Sequence, residues 1–338
     1  MNMLYFPLGN DLYPFLLNKR ISYPKKMHDI IASVLPIFII TMLGKVIRLY
    51  WIKSDEFWRN LEVLSYFLLF PVVLFNYIVD ADLSAMHLIK LVFALMLATV
   101  IVSVGLVILK RKMEIEGKVF TSIYQGAIRY NSYIFFGLGD ALYGKEGMTI
   151  VAVIAAYMII FTNFMSVLVF SVYSPMEQDG QGSSEVSQWS IFVKNLTMNP
   201  LIIASLVGFI FNYLDIKLGL SVHRTLQTLS NSALAIGILC VGAGLKFSIS
   251  KINNFAITVG CVTKLLILPT ITFLIFKLIG IKGLAHSVGL LYSSLPTATN
   301  SYLLSRQLGG DSESMSAIIT FSIVLSVLSL AILTYILA

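Results

Sequence analysis

Charge is scarce in this chain. Of 338 residues only 12% are Asp, Glu, Lys or Arg, while 57% are hydrophobic, and the mean hydropathy is +0.86. An ordinary soluble domain is about 25% charged, so one water-exposed globule is excluded. Cysteine is nearly absent. Cys240 and Cys261 both sit in apolar runs, which leaves no disulfide framework and no metal-type spacing. Carboxylates are missing from the interiors of those runs. Glu62, Asp80, Asp140 and Asp215 lie near their ends, so the buried acids with which a broken-helix antiporter exchanges protons for cations are not evident. No Gly-x-x-x-x-Gly-Lys-Ser/Thr loop occurs, which argues against nucleotide-driven pumping. The first 26 residues contain Asp11, Pro7, Pro14 and Pro24 and no long apolar core, so a removable signal peptide is not expected.

What is present is apolar and continuous. A bilayer crossing needs about 20 such residues, and backbone polarity restricts spanning structure to helices or closed barrels. The runs do not alternate, so helices are expected, at about 29–47, 61–79, 88–109, 119–143, 147–172, 198–214, 225–245, 255–279, 283–305 and 314–337. The fold class is therefore an all-α integral membrane protein of ten helices. The formal charge of +7 reads as Lys and Arg of membrane-flanking loops rather than a nucleic-acid surface. The Lys and Arg of the short loops, among them Lys45, Arg48, Lys110, Arg111 and Lys112, point to a multi-pass cell-membrane protein with both termini outside the cytoplasm.

The chain also repeats itself. Leu35-Pro36 with Gly44 matches Asn199-Pro200 with Gly208; Leu64-Ser65 matches Leu229-Ser230; Asn131-Ser132-Tyr133-Ile134 matches Asn300-Ser301-Tyr302-Leu303. These pairs stand 164, 165 and 169 residues apart and in the same order. The expected organisation is an N-terminal extension 1–27, a five-helix repeat 28–172, a central loop 173–196 and a second repeat 197–338. Five spans per repeat is odd, so the second enters the membrane inverted, as in many secondary transporters.

The fourth and ninth spans are the most polar and occupy corresponding places. Pro296 removes a backbone donor and should break span nine; Gly126, Gly137 and Gly139 should weaken span four. Unwound backbone at membrane depth persists only where it lines a cavity or is buried in protein, and half-helix N-termini meeting there attract an anion. Asn131, Asn300, Ser132, Ser301, Thr297, Thr299 and Pro296 are the candidate substrate-binding residues, with Arg129 adding positive charge. The blander account is that the two asparagines only tie helices together. Lys264 is a second intramembrane cation, equally explicable as a snorkelling brace. The expected partners are a small organic anion and the lipid bilayer. No cofactor or metal is expected; oxygens near Thr297 and Thr299 could hold sodium, but sodium and proton stay unassigned as coupling ion, and a homodimer is left open.

Arg129-Tyr130-Asn131-Ser132 with Phe136-Gly137-Leu138-Gly139 and Tyr143-Gly144, then Pro296-Thr297-Ala298-Thr299-Asn300 with Gly309-Gly310-Asp311, resemble the fourth- and ninth-helix motifs of the auxin efflux carrier family. That family includes bacterial malate and malonate permeases. Asn199-Pro200, Gly242-Ala243 and Lys264-Leu265 with Leu268-Pro269 look like further family features. The resemblance implies a fold similar to bile-acid sodium symporters, with broken helices 4 and 9 crossing. It also implies a carboxylate at the crossing beside Asn131 and Asn300, and a mobile core of spans 3–5 and 8–10 on a scaffold of spans 1, 2, 6 and 7. The family commonly has proline where this chain has Gly139, and some members have it in place of Tyr130. Two rivals remain. Gly137-Leu138-Gly139-Asp140 matches an intramembrane aspartyl protease signature, but Asp80, the nearest second acid, has the wrong spacing for the paired carboxylates needed. A transporter-like sensor would want an output domain, and none is evident.

Overall fold

A computed structural model describes residues 27–81, 87–174, 199–246 and 253–337. Most of the N-terminal extension and of the central loop lies outside them. The described residues are helical throughout, without a strand: α1 (Met27–Tyr50), α2 (Asp55–Val79), α3 (His87–Met113), α4 (Gly117–Ile128), α5 (Ser132–Tyr173), α6 (Pro200–Tyr213), α7 (Leu220–Ala243), α8 (Asn254–Ile279), α9 (Gly283–Ser294), α10 (Ser301–Gln307) and α11 (Ser312–Leu337). Among the described residues six stretches are long and apolar enough to cross a membrane, one of them the 57-residue run Gly117–Tyr173 that joins α4 and α5. The apolar helix α6 is shorter, at 14 residues. The protein is thus a helical, multi-pass membrane protein.

Local chemistry fixes the helix ends. Ser54 caps α2 by accepting from the Phe57 amide at 3.2 Å, and Asp55 and Glu56 follow in its first turn, where acids suit the helix dipole. Asn199 accepts from Leu201 N at 3.0 Å ahead of Pro200, proline being tolerated where no intrahelical N–H is needed. Asp311 opens α11 by accepting from the Glu313 and Ser314 amides, each at 3.0 Å. Gly280 ends α8 at φ 77°, the left-handed cap glycine adopts without penalty.

Two helices widen by one π turn, at Ser65–Leu69 in α2 and Thr263–Ile267 in α8. Each runs directly into an X-Pro pair, Phe70-Pro71 and Leu268-Pro269. Proline has no N–H for the preceding turn and its ring clashes with that turn's carbonyl, and the wider turn accommodates both. One such turn presents Tyr66 and the other Lys264.

Helices α1, α2, α6 and α7 pack chiefly on one another, and α3, α4, α5, α8, α9, α10 and α11 form a second group. Contacts of α1 with α5 and α11, and of α2, α6 and α7 with α5, join the groups. The α1–α7 approach is very close. A methyl at Gly242 would lie 1.6 Å from the Thr41 carbonyl oxygen, and one at Gly44 2.1 Å from that of Leu239; only small residues let membrane helices approach this far. Apolar side chains such as Phe93, Leu206 and Leu328 stand exposed on the outside of the bundle, as a hydrocarbon solvent permits.

The glycines expected to break the fourth span do not do so. Gly126 lies inside α4, and Gly137 and Gly139 lie inside α5. Their role is packing. Added methyls would meet Ile318 at 2.6 Å, Ile238 at 2.9 Å and Val151 at 2.6 Å respectively. The backbone instead opens at Arg129–Asn131, and again at Gly144, whose φ of 58° and ψ of −153° divide α5.

Candidate functional site

Two interruptions meet inside the bundle. One separates α4 from α5 over 129–131, the other α9 from α10 over 295–300. At the first, Arg129 (φ −83°, ψ 151°) and Asn131 (φ −79°, ψ 103°) are extended. At the second, Leu295 is extended (φ −64°, ψ 150°). The Asn131 amide donates to the Pro296 carbonyl at 2.8 Å, so each break supplies a backbone partner that the other needs. Thr297 adds two ties. Its hydroxyl donates to the Gly126 carbonyl at 2.7 Å, and its amide donates to Ser322 Oγ of α11 at 3.1 Å. Buried backbone polar groups must be paired, and here the pairing is between segments far apart in sequence.

A cavity of about 50 Å³ opens beside the breaks. One wall comes from Tyr66 and Phe70 of α2 and Leu201 of α6; the other from Arg129, Tyr130, Asn131, Ser132, Ala298, Thr299 and Asn300, with Ile159, Thr162 and Asn163 of α5 closing it. It lies on the seam between the two packing groups. No acidic side chain lines it among the described residues.

Arg129 is its only cation, 7% exposed. Its guanidinium donates through Nη1 to Gln125 Oε1 at 3.0 Å and through Nη2 to Asn300 Oδ1 at 3.1 Å. Both acceptors are neutral amide oxygens. They orient the guanidinium without cancelling its charge, and among the described residues no carboxylate pairs with it. Gln125 is held in turn, its Nε2 donating to Ser305 Oγ at 3.1 Å. The two asparagines of the repeated motif do different work. Asn131 Oδ1 caps α5 by accepting from the Ile134 amide at 3.1 Å, which leaves its Nδ2 buried and without a partner. Asn300 caps nothing; it is exposed, and its oxygen faces Arg129. Beside them the first amides of α5, with Ser132, form a helix N-terminus, a place that favours negative charge.

Of the residues singled out in the sequence, Arg129, Asn131, Ser132, Thr299 and Asn300 line the cavity. Pro296 contributes only its carbonyl. Thr297 does not line it, because its hydroxyl and amide are spent holding the break. Ser301 is buried with its hydroxyl unpartnered and also lies off the lining. Sequence reasoning missed Gln125, although its spacing of four residues from Arg129 puts both on one helical face. It also missed Thr162 and Asn163, a polar pair inside an apolar run, and Tyr66, which carries no local signal. Asp140 is exposed, and no hydrogen bond joins it to another carboxylate among the described residues.

Residues 29–334 match the family described as membrane transport protein. An uncharacterized transporter of Methanothermobacter thermautotrophicus is 23% identical over 300 residues, covering 88% of this chain and 95% of its own length. Nearly the whole chain is thus accounted for by one family of membrane transporters, and the chain belongs to it, the membrane transport protein family of the auxin efflux carriers.

Proposed function

We propose that this protein is a secondary transporter that carries small organic carboxylates across the cell membrane by alternating access. One observation carries the reading: a buried guanidinium, clamped only by neutral oxygens, faces a small cavity between two helix breaks. A charge taken out of water needs a counter-charge, and the described lining provides none, so the substrate's carboxylate completes the site. The unpartnered Asn131 Nδ2 and the N-terminus of α5 add donors for the same oxygens.

In this reading the chain makes ten crossings as two inverted repeats, 28–172 and 197–338, with 1–27 and 173–196 outside them and both termini non-cytoplasmic. The 57-residue stretch Gly117–Tyr173 would be about 85 Å long if straight, against a hydrocarbon core of about 30 Å. In this reading it folds back at Gly144 into two crossings. Spans four and nine cross where Asn131 meets Pro296. The group containing α2 and α6 serves as scaffold, and the group containing both breaks moves against it. The cavity on their seam is then exposed to one side and the other in turn. A protease is disfavoured by the exposure of Asp140, and no energy source other than a gradient is implied.

Counterflow in proteoliposomes tests this with a panel of small mono- and dicarboxylates. Asn131→Ala and Asn300→Ala should each reduce exchange by about ten- to a hundredfold, as expected for losing a hydrogen bond to a charged group, while leaving folded yield intact. Unchanged exchange in both variants removes the site from where we place it.

A further inference from the structure

The carboxylate reading uses one buried cation and leaves another unexplained. Lys264 lies in the π turn of α8 with 0% exposure, and its Nζ has no hydrogen-bond partner. Its Nζ stands over the face of Tyr292, 5.8 Å from the ring centroid, within cation–π range. Single-residue π turns recur at functional positions in helices, and an ionisable side chain at membrane depth marks an ion or proton pathway more often than a brace.

The surroundings of Lys264 are short of compensation. The elements packed on its turn are α4, α9 and α11, besides the rest of α8. On α4, Tyr124 donates to Ser103 at 2.9 Å, Lys118 is exposed, and Arg129 turns to Gln125 and Asn300. On α9, Tyr292 is the facing group, and His286 packs against Phe273 and Phe276. On α11, Glu313 is exposed, and within α8 Cys261 turns to the Ile318 carbonyl at 3.8 Å. No carboxylate among the described residues meets Nζ.

Two aromatic rings connect this amine to the cavity. The Tyr292 hydroxyl is buried without a partner, and its ring stacks edge-on against Tyr130 with centroids 4.6 Å apart. Tyr130 lines the cavity between Arg129 and Asn131, and its own buried hydroxyl lies beside Ser132 without closing a hydrogen bond. Lys264, Tyr292 and Tyr130 are thus neighbouring side chains, each with a buried polar atom that lacks a partner, and the last of them lines the cavity. Buried polar atoms are nearly always satisfied, and three unsatisfied ones on neighbouring side chains are what internal water, or a migrating proton, would use.

We propose that Lys264 is the proton-carrying residue of the transport cycle and that the coupling ion is a proton, a conclusion that rests on the carboxylate reading above. The Nζ lone pair takes up one proton from water on the side facing the cavity as the carboxylate docks, becoming an ammonium whose charge offsets the substrate's. After the group has moved, the proton returns to water on the other side with the substrate's departure. One proton crosses per substrate, and no other bond is made or broken.

The test uses the full chain in proteoliposomes with malonate as probe, the membrane potential clamped at zero and a pH dye inside. With one proton carried per substrate, an inward gradient of about one pH unit should hold malonate about tenfold above its outside concentration, with acidification of the lumen that depends on malonate. Lys264→Met should lose gradient-driven accumulation and the dye signal, and such malonate counterflow as it retains should no longer vary with pH. Lys264→Arg should lose accumulation too, because a guanidinium does not release its proton. Accumulation by Lys264→Met equal to the parent's overturns the proposal. So does a parent that exchanges malonate without any malonate-dependent proton signal, which decides the matter even should the variants not fold. A parent that shows no counterflow with malonate or other small carboxylates overturns the carboxylate reading, and this inference with it.

Discussion

The most demanding prediction concerns the neutrality of Gln125. Its Oε1 sits 3.0 Å from Arg129 Nη1, and replacing it with Glu exchanges an amide oxygen for a carboxylate oxygen of nearly the same size at the same place. Two unit charges about 4 Å apart, with an effective dielectric constant of about 20, attract by about 4 kcal/mol. That attraction now competes with the substrate for the guanidinium, and the added negative charge also repels an incoming carboxylate. Part of it is lost to desolvating the new acid. A net penalty of about 1.5–3 kcal/mol on substrate binding remains, or about ten- to a hundredfold in affinity. Gln125→Glu should therefore raise the half-saturating concentration in counterflow by that factor. Folding should be little changed, since the pairing with Arg129 persists. Gln125→Ala separates charge from geometry: it removes the clamp without adding an acid, so its effect on affinity should be smaller and its effect on thermal stability larger. If Gln125→Glu binds carboxylates as well as the parent, Arg129 does not meet the substrate, and the electrostatic basis of the site is wrong.

The other predictions are narrower. Gly242→Ala places a methyl 1.6 Å from the Thr41 carbonyl oxygen, so α1 and α7 must separate; we expect a loss of about 1–3 kcal/mol, visible as a lower melting temperature in detergent, and an unchanged melting curve would deny the close approach. Asp140→Asn alters an exposed acid away from the cavity lining and should leave carboxylate exchange at the parental rate, whereas abolition of exchange would reopen a role for Gly137-Leu138-Gly139-Asp140.

The helices were legible because apolar runs at membrane length leave few alternatives, and α3 and α8 coincide closely with the stretches read from hydropathy at 88–109 and 255–279. The position of the breaks was legible only in part. Pro296 lies in the second interruption, where a missing amide makes the effect local. In the first half, glycine was the only local candidate, and it misled. A glycine inside a helix costs about 1 kcal/mol relative to alanine, which the packing of Ile318, Ile238 and Val151 against Gly126, Gly137 and Gly139 outweighs. The interruption at Arg129–Asn131 contains neither glycine nor proline. What accompanies it is the Pro296 carbonyl, the partner of the Asn131 amide, 165 residues away in the chain. No window on the local sequence holds that information. Gln125 could have been found from its spacing to Arg129. Tyr66 could not, since it reaches the cavity wall from a π turn ahead of Pro71 in another helix.

The recurring Asn-Ser-Tyr triplet shows how far a likeness between two stretches of sequence can be read. Sequence alone presents Asn131 and Asn300 as equivalents, but equivalence of position has not kept equivalence of chemistry. A carboxamide has one acceptor oxygen and two donor hydrogens, so its role follows from which end is engaged. Asn131 commits its oxygen to the Ile134 amide and is left with donors for an anion. Asn300 commits its oxygen to Arg129, so under the proposed function it would act on an anion partly through the guanidinium it orients. The difference traces to one residue: Arg129 stands two places before Asn131, where Ala298 stands two places before Asn300. A single cation placed beside one triplet has therefore made donors of one asparagine and a clamp of the other. Exchange of Asn131 for Asp should consequently do more harm than the same exchange at Asn300. At Asn131 it turns the free donor group into a carboxylate facing the substrate, whereas at Asn300 the new charge lands against Arg129 and is partly offset. Equal losses of counterflow in the two variants would show that the motifs still act as a symmetric pair.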